Sequence, residues 1–151
     1  MSESPSFPEP VFEFGGKVDE FHVTLYVHGE DLDPEEITRL LGTRPDESHK
    51  RGEPRYAWRS DQEWPSGHWA IDIRSGAPDE IRTAIGEVLD RVNNPDALRE
   101  LTPRYTVRLS VGVFLDAPNR GFDLPASLVE RIAKSGIELS FDIYVQAADD
   151  P

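Results

Sequence analysis

The chain has 151 residues, 37% hydrophobic and 30% charged, with a formal net charge of −13 at pH 7 and no cysteine. That length suits one domain whose core buries roughly 68–70% of the unfolded surface. Without cysteine there is no disulfide, thiol nucleophile or thiolate metal site, and the acidic excess argues against nucleic acid as a partner because it repels phosphate backbones.

No apolar run approaches the ~18 residues of a membrane span. The opening MSESPSFPEP lacks the basic start and apolar stretch of a secretory signal. The expectation is a cytoplasmic protein with no membrane contact, whose acidity serves solubility first and a basic protein partner second.

Residues 1–17, rich in Pro, Ser and Glu, read as a flexible N-terminal tail, although Phe7, Val11, Phe12 and Phe14 are able to lie against the core as an edge segment. A single α+β domain is expected over 18–146, followed by an acidic tail at 147–151. From Phe21 to His28 apolar and polar residues alternate, the period of a half-buried strand. Asp33 is placed as an N-cap, with Pro34 in the first helical position and Glu36 three residues on to close a capping box. Ile37, Leu40 and Leu41 form its apolar stripe, and Gly42 suits a left-handed end.

Thr43–Pro54 reads as a charged loop. Arg55–Ser60 and Gly67–Arg74 then read as two strands, with Trp58, Trp69, Ile71 and Ile73 pointing inward. Pro78, Asp79 and Glu80 open the longest helix, whose apolar set is Ile81, Ala84, Ile85, Val88, Leu89 and Val92. Asn93-Asn94-Pro95 stops it, and Leu98 and Leu101 mark one further turn. Tyr105–Leu115 alternates as a strand. A helix from Pro125 with Leu128, Val129, Ile132 and Ala133 inward ends at Gly136, and Ile137–Val145 forms a last alternating strand.

Strict alternation predicts a mainly antiparallel five-stranded sheet with helices on one face, a two-layer α+β sandwich. Its first six elements follow a ferredoxin-like βαββαβ order, with a helix and strand appended. The opposite sheet face would carry His22, Thr24, Tyr26, His28, His68, Asp72, Arg108, Glu138, Asp142 and Tyr144 among others. His22 and His28 lie roughly 20 Å apart along one strand, so a metal or acid/base site would need His68 or Asp142 brought across from a neighbour. No metal or cofactor is expected.

No G-x-S-x-G elbow, G-x-G-x-x-G or P-loop occurs, and Ser48-His49 are merely adjacent. The densest basic cluster runs through Arg44, Lys50, Arg51, Arg55 and Arg59, interleaved with Tyr56, Trp58 and Trp64. We take Arg44, His49, Lys50, Arg51, Arg55, Trp58 and Trp69 as the candidate ligand- or partner-binding residues. Three readings stay open: internal ion pairing with core tryptophans, a protein interface, and a small-anion pocket.

The alternating strand ending at His28, the DLDPEEITRLLGTRPD segment, Lys50–Gly52, Trp69–Ile71, GFDLPASLVERIAKSG and Asp142-Ile143-Tyr144 together resemble the bacterial domain-of-unknown-function family 4279, over about residues 20–145. The resemblance implies one compact α+β domain and names no activity, so no catalytic residue is carried over. The expected function is a non-enzymatic protein-interaction module, immunity- or inhibitor-like. The alternative is a small-anion or nucleotide-type ligand binder or enzyme, using segment 44–69 or the histidine-bearing sheet face. A homodimer through that open face is a further expectation.

Overall fold

The computed structural model describes residues 16–76 and 79–145. The expectations for the apolar residues at 7–14, for Pro78 and for the acidic tail lie outside the described residues.

Among the described residues, seven strands and four helices follow in the order β1 (Glu20–Gly29), α1 (Pro34–Leu41), β2 (Glu47–His49), β3 (Pro54–Tyr56), β4 (Arg59–Glu63), β5 (Gly67–Arg74), α2 (Ile81–Asp90), α3 (Asp96–Leu101), β6 (Thr106–Leu115), α4 (Ala126–Ser135) and β7 (Glu138–Val145). Five strands form one sheet in the order β2-β5-β1-β6-β7, while β3 and β4 pair separately as a hairpin. Every neighbouring pair in the main sheet is antiparallel except β6–β7, which is parallel and joined through α4. A parallel neighbour requires such a crossover, whereas antiparallel neighbours can be joined by short turns.

Alternation in β1 and β6 sends Phe21, Val23, Leu25, Val27, Val107, Leu109, Val111 and Val113 into one core with Trp69 and Ile71 of β5. The helices close that core through Ile37, Leu41, Ile81, Ala84, Ile85, Val88, Leu98, Leu101, Leu128 and Ile132. The result is the expected mixed α+β fold with a five-stranded, mainly antiparallel sheet. Among the described residues, no helix is long and apolar enough to cross a membrane.

The ends of α1 follow their sequence signals. The Asp33 side chain accepts the Glu35 backbone N–H at 3.1 Å, and Gly42 closes the helix at φ 69° with its N–H on the Thr38 carbonyl. The Glu36 carboxylate is turned elsewhere, accepting from Arg104 at 3.0 Å. Asp79 and Glu80 precede α2 instead of entering its first turn, where no acid stands.

Three expectations need correction. The second strand of the sheet is Glu47–His49, inside the segment read as a loop, and it occupies the place given to Arg55–Ser60. These three residues carry no apolar pattern; pairing with β5 makes them a strand, a case of tertiary context overriding propensity. Second, Trp58 is 78% exposed at the hairpin turn, where it stacks on Tyr56. Third, Val129, Phe141, Ile143 and Val145 are exposed, because β7 is the sheet edge and α4 buries little beyond Leu128 and Ile132.

Candidate functional site

The face of the sheet away from the helices carries three histidines in register. His49 of β2 pairs with His68 of β5, and His68 pairs with His28 of β1. In-register residues on one face stand one strand spacing apart, about 4.8 Å, so the rings must meet. The ring centroids of His49 and His68 are 5.5 Å apart, as are those of His28 and His68.

Two glycines set this alignment. Gly29 follows His28 and pairs with Gly67, which precedes His68. A Cβ on Gly67 would lie 2.4 Å from the Leu32 carbonyl oxygen, and one on Gly29 would lie 2.5 Å from Cδ1 of Tyr105. The strand ends thus approach their neighbours in a way only glycine permits.

The β3–β4 hairpin supplies a wall. Trp64, just after β4, is tied back by its N–H to the Glu53 carbonyl at 2.9 Å, and its own carbonyl accepts from Gly52 at 2.8 Å. Its indole stacks on His49 at 3.7 Å between centroids and 6° between planes, and Arg55 lies over the same indole at 4.7 Å. His49 is left only 8% exposed. On the other side, Tyr26, Arg108 and Glu138 form a second row across β1, β6 and β7, with Arg108 bonded to the Tyr26 hydroxyl at 3.0 Å and to Glu138 at 2.7 Å. Between these walls lies a cleft of about 740 Å³.

Polar contacts inside the cleft are specific. His49 Nδ1–H donates to the Ser66 carbonyl at 3.0 Å, since a carbonyl can only accept. The Ser66 hydroxyl lies 2.9 Å from His28 Nε2, and His28 Nδ1 lies 3.3 Å from His68 Nδ1. Burial holds His49 below the ordinary imidazole range. It does the same for His68, with the neighbouring His49 and His28 lowering it further. Both rings therefore favour the neutral form. Among the described residues, no group of three or more His, Asp or Glu is arranged to hold a metal ion.

The candidate residues named from sequence are scattered by this fold. His49 and Arg55 line the cleft. Lys50 pairs with Asp33 at 3.4 Å, and Arg51 pairs with Glu30 and Asp31 at 2.9 Å each, beside the start of α1. Arg44 lies outside the cleft, its carbonyl accepting from Arg91. Trp58 projects into solvent. Trp69 is fully buried on the helix side, its indole N–H donating to the Thr38 hydroxyl at 3.0 Å. Ser48, adjacent to His49 in sequence, alternates to the other side of β2.

Trp64, Ser66, Tyr26 and Arg108 join the cleft without having been singled out as binding residues. His28 and His68 stood on the expected open face, but their meeting depended on strand order. A usable signal was present in His28-Gly29 and Gly67-His68, mirror-image dipeptides at the two strand ends.

The family profile described as "Domain of unknown function (DUF4279)" matches residues 19–146. The chain belongs to this family. The DUF4279 match runs from just before β1 to just after β7, so every residue lining the cleft lies within it. No curated protein and no solved structure matches the chain.

Proposed function

We propose that this DUF4279 domain binds a small anionic ligand with a flat or ring-shaped portion in the cleft of the open sheet face. The observation that carries the reading is the convergence of Arg55, Trp64 and the histidine row on one concavity of about 740 Å³, within the roughly 300–1,000 Å³ usual for small-molecule sites. Among the described residues Arg55 pairs with no carboxylate, so its charge is available to an incoming carboxylate or phosphate. The His49 and His68 imidazoles and the Tyr26 ring offer further contacts in the same cleft.

A thermal-shift screen with carboxylates, inorganic phosphate and nucleotides tests this reading. At least one anion is expected to raise Tm, by a linkage equivalent to about 2.7 kcal/mol at 100 times its Kd. Arg55→Ala and Trp64→Ala should each remove most of that rise. A flat response across the screen refutes the reading.

A second reading, a protein-interaction module, draws support from the edge strand β7. There Ile143 is 61% exposed and Val145 69% exposed, and an apolar rim of this kind commonly marks an interface. Size-exclusion chromatography with light scattering tests self-association, and recovery of a basic partner at low but not high salt tests the hetero-interaction. A monomer that captures nothing at low salt overturns it.

A further inference from the structure

Among the described residues lining the cleft, Ser66 is the one whose hydroxyl lies within hydrogen-bond distance of a histidine ring nitrogen. Its hydroxyl lies 2.9 Å from His28 Nε2, and the other nitrogen of the same ring, Nδ1, lies 3.3 Å from His68 Nδ1. A neutral imidazole has one N–H, so two facing Nδ1 atoms hold a single proton between them. When that proton is on His28, its Nε2 is a lone pair pointed at the Ser66 hydroxyl. When it is on His68, His28 carries its proton on Nε2 and only donates to Ser66. The first arrangement alone survives protonation of His28, because His68 Nδ1 then still accepts. Burial of His68, which disfavours its charged form, keeps that acceptor available.

The serine backbone is fixed independently. His49 Nδ1–H holds the Ser66 carbonyl at 3.0 Å, and Trp64 stacks on His49. Gly67, the next residue, packs too closely on the Leu32 carbonyl for any side chain. A nucleophile, a base within hydrogen-bond reach and a third group orienting the base form the general arrangement for covalent catalysis. Here an imidazole stands where a carboxylate more often does.

We propose that Ser66 is a nucleophile activated by His28, with His68 as a positioning residue, and that the cleft hydrolyses carboxylic esters bearing a second, anionic group. The choice of an anionic substrate rests on the anion-binding reading of the same cleft; the nucleophile does not. In the first step the Ser66 hydroxyl proton passes to His28 Nε2 as the Oγ–carbon bond forms. Collapse of the tetrahedral adduct breaks the bond to the leaving alcohol, which takes the proton from Nε2. Water then attacks the acyl-serine with His28 as base, releasing a carboxylic acid and returning the proton to Ser66.

The test is intact mass and peptide mapping after treatment with a fluorophosphonate. That reagent forms an Oγ–phosphorus bond as fluoride leaves. A single adduct on Ser66 is expected, absent in Ser66→Ala and slowed on the order of 100-fold in His28→Gln. His68→Leu should slow labelling and alter its pH profile. His68→Asn, whose amide oxygen can accept from His28 Nδ1–H, should restore part of the rate. Circular dichroism on each variant separates these effects from misfolding. A folded wild-type protein that takes no label, or labels equally well in His28→Gln, overturns the nucleophile. Release of p-nitrophenolate from a carboxylate-bearing p-nitrophenyl ester, lost in Ser66→Ala, is the second readout, and labelling without such turnover refutes the hydrolytic step. Labelling needs no anion, so an anion screen that fails leaves it standing, while anion binding in a protein that takes no label sinks the nucleophile alone.

Discussion

Trp69→Phe is the sharpest test of how the sheet divides its two faces. The indole is fully buried among core residues, and its N–H donates to the Thr38 hydroxyl of α1 at 3.0 Å. Phenylalanine is smaller by roughly 40 Å³, which at about 24 cal/mol per Å³ costs about 1 kcal/mol. Losing the hydrogen bond adds about 1 kcal/mol. With a urea m-value of about 2 kcal/mol/M, a loss of about 2 kcal/mol lowers the unfolding midpoint by about 1 M. Thr38→Val keeps the indole but strands its buried N–H, at a cost of about 1–3 kcal/mol. The double variant should therefore be less destabilised than the sum of the singles, by about 1 kcal/mol. Urea unfolding followed by far-UV circular dichroism measures all four proteins. A Trp69→Phe loss under about 0.5 kcal/mol, or strict additivity, would show that Thr38 does not hold the indole. Anion-induced stabilisation should persist in Trp69→Phe, since the residue faces away from the cleft; its disappearance would contradict the placement of the site.

Other expectations follow from the same contacts. His49 and His68 bind protons less readily folded than unfolded, so between the depressed folded values and the unfolded value of about 6.5 the unfolded chain holds more protons. Stability should be complete above that unfolded value and fall as pH drops below it. His49→Gln with His68→Asn should flatten this limb of a pH series of urea melts, and an unchanged limb would refute the assignment. Asp33→Ala should cost about 0.5–2 kcal/mol by chemical denaturation, since its side chain caps α1, and Asp33→Asn should retain most of it. Gly67→Ala should cost at least the ~1–3 kcal/mol typical of overpacking, because the new methyl meets backbone and not a movable side-chain tip. A neutral Gly67→Ala in the same melts would mean that β5 has room to slide.

The sequence made the core legible because period-two and helical patterns are local. Phe21 to Val27, Ile81 to Leu89 and Val107 to Val113 all pack as their spacing predicts. Asp33 and Gly42 mark the ends of α1 for the same reason, since capping is settled within a turn or two. The misreadings fall where neighbours decide. Glu47–His49 has no intrinsic reason to be a strand and becomes one on the edge of β5. Trp58, attractive as a core residue by type, lies on a hairpin turned away from the core. The cleft combines both situations. Alternation placed His28 and His68 on the open face, but only strand order could say that they touch, and Ser66 in the β4–β5 connection carried no pattern at all.

The row His49–His68–His28 also has a kinetic meaning. Its members come from three strands brought together across gaps of 19 and 40 residues, so no local element contains any two of them. Contacts that close long stretches of chain form late, after their loop entropy has been offset elsewhere. The stacking of Trp64 on His49 should then appear only when β2 has zipped onto β5. In a refolding experiment the indole environment in the cleft would report completion of the sheet, and helix signals would rise before it.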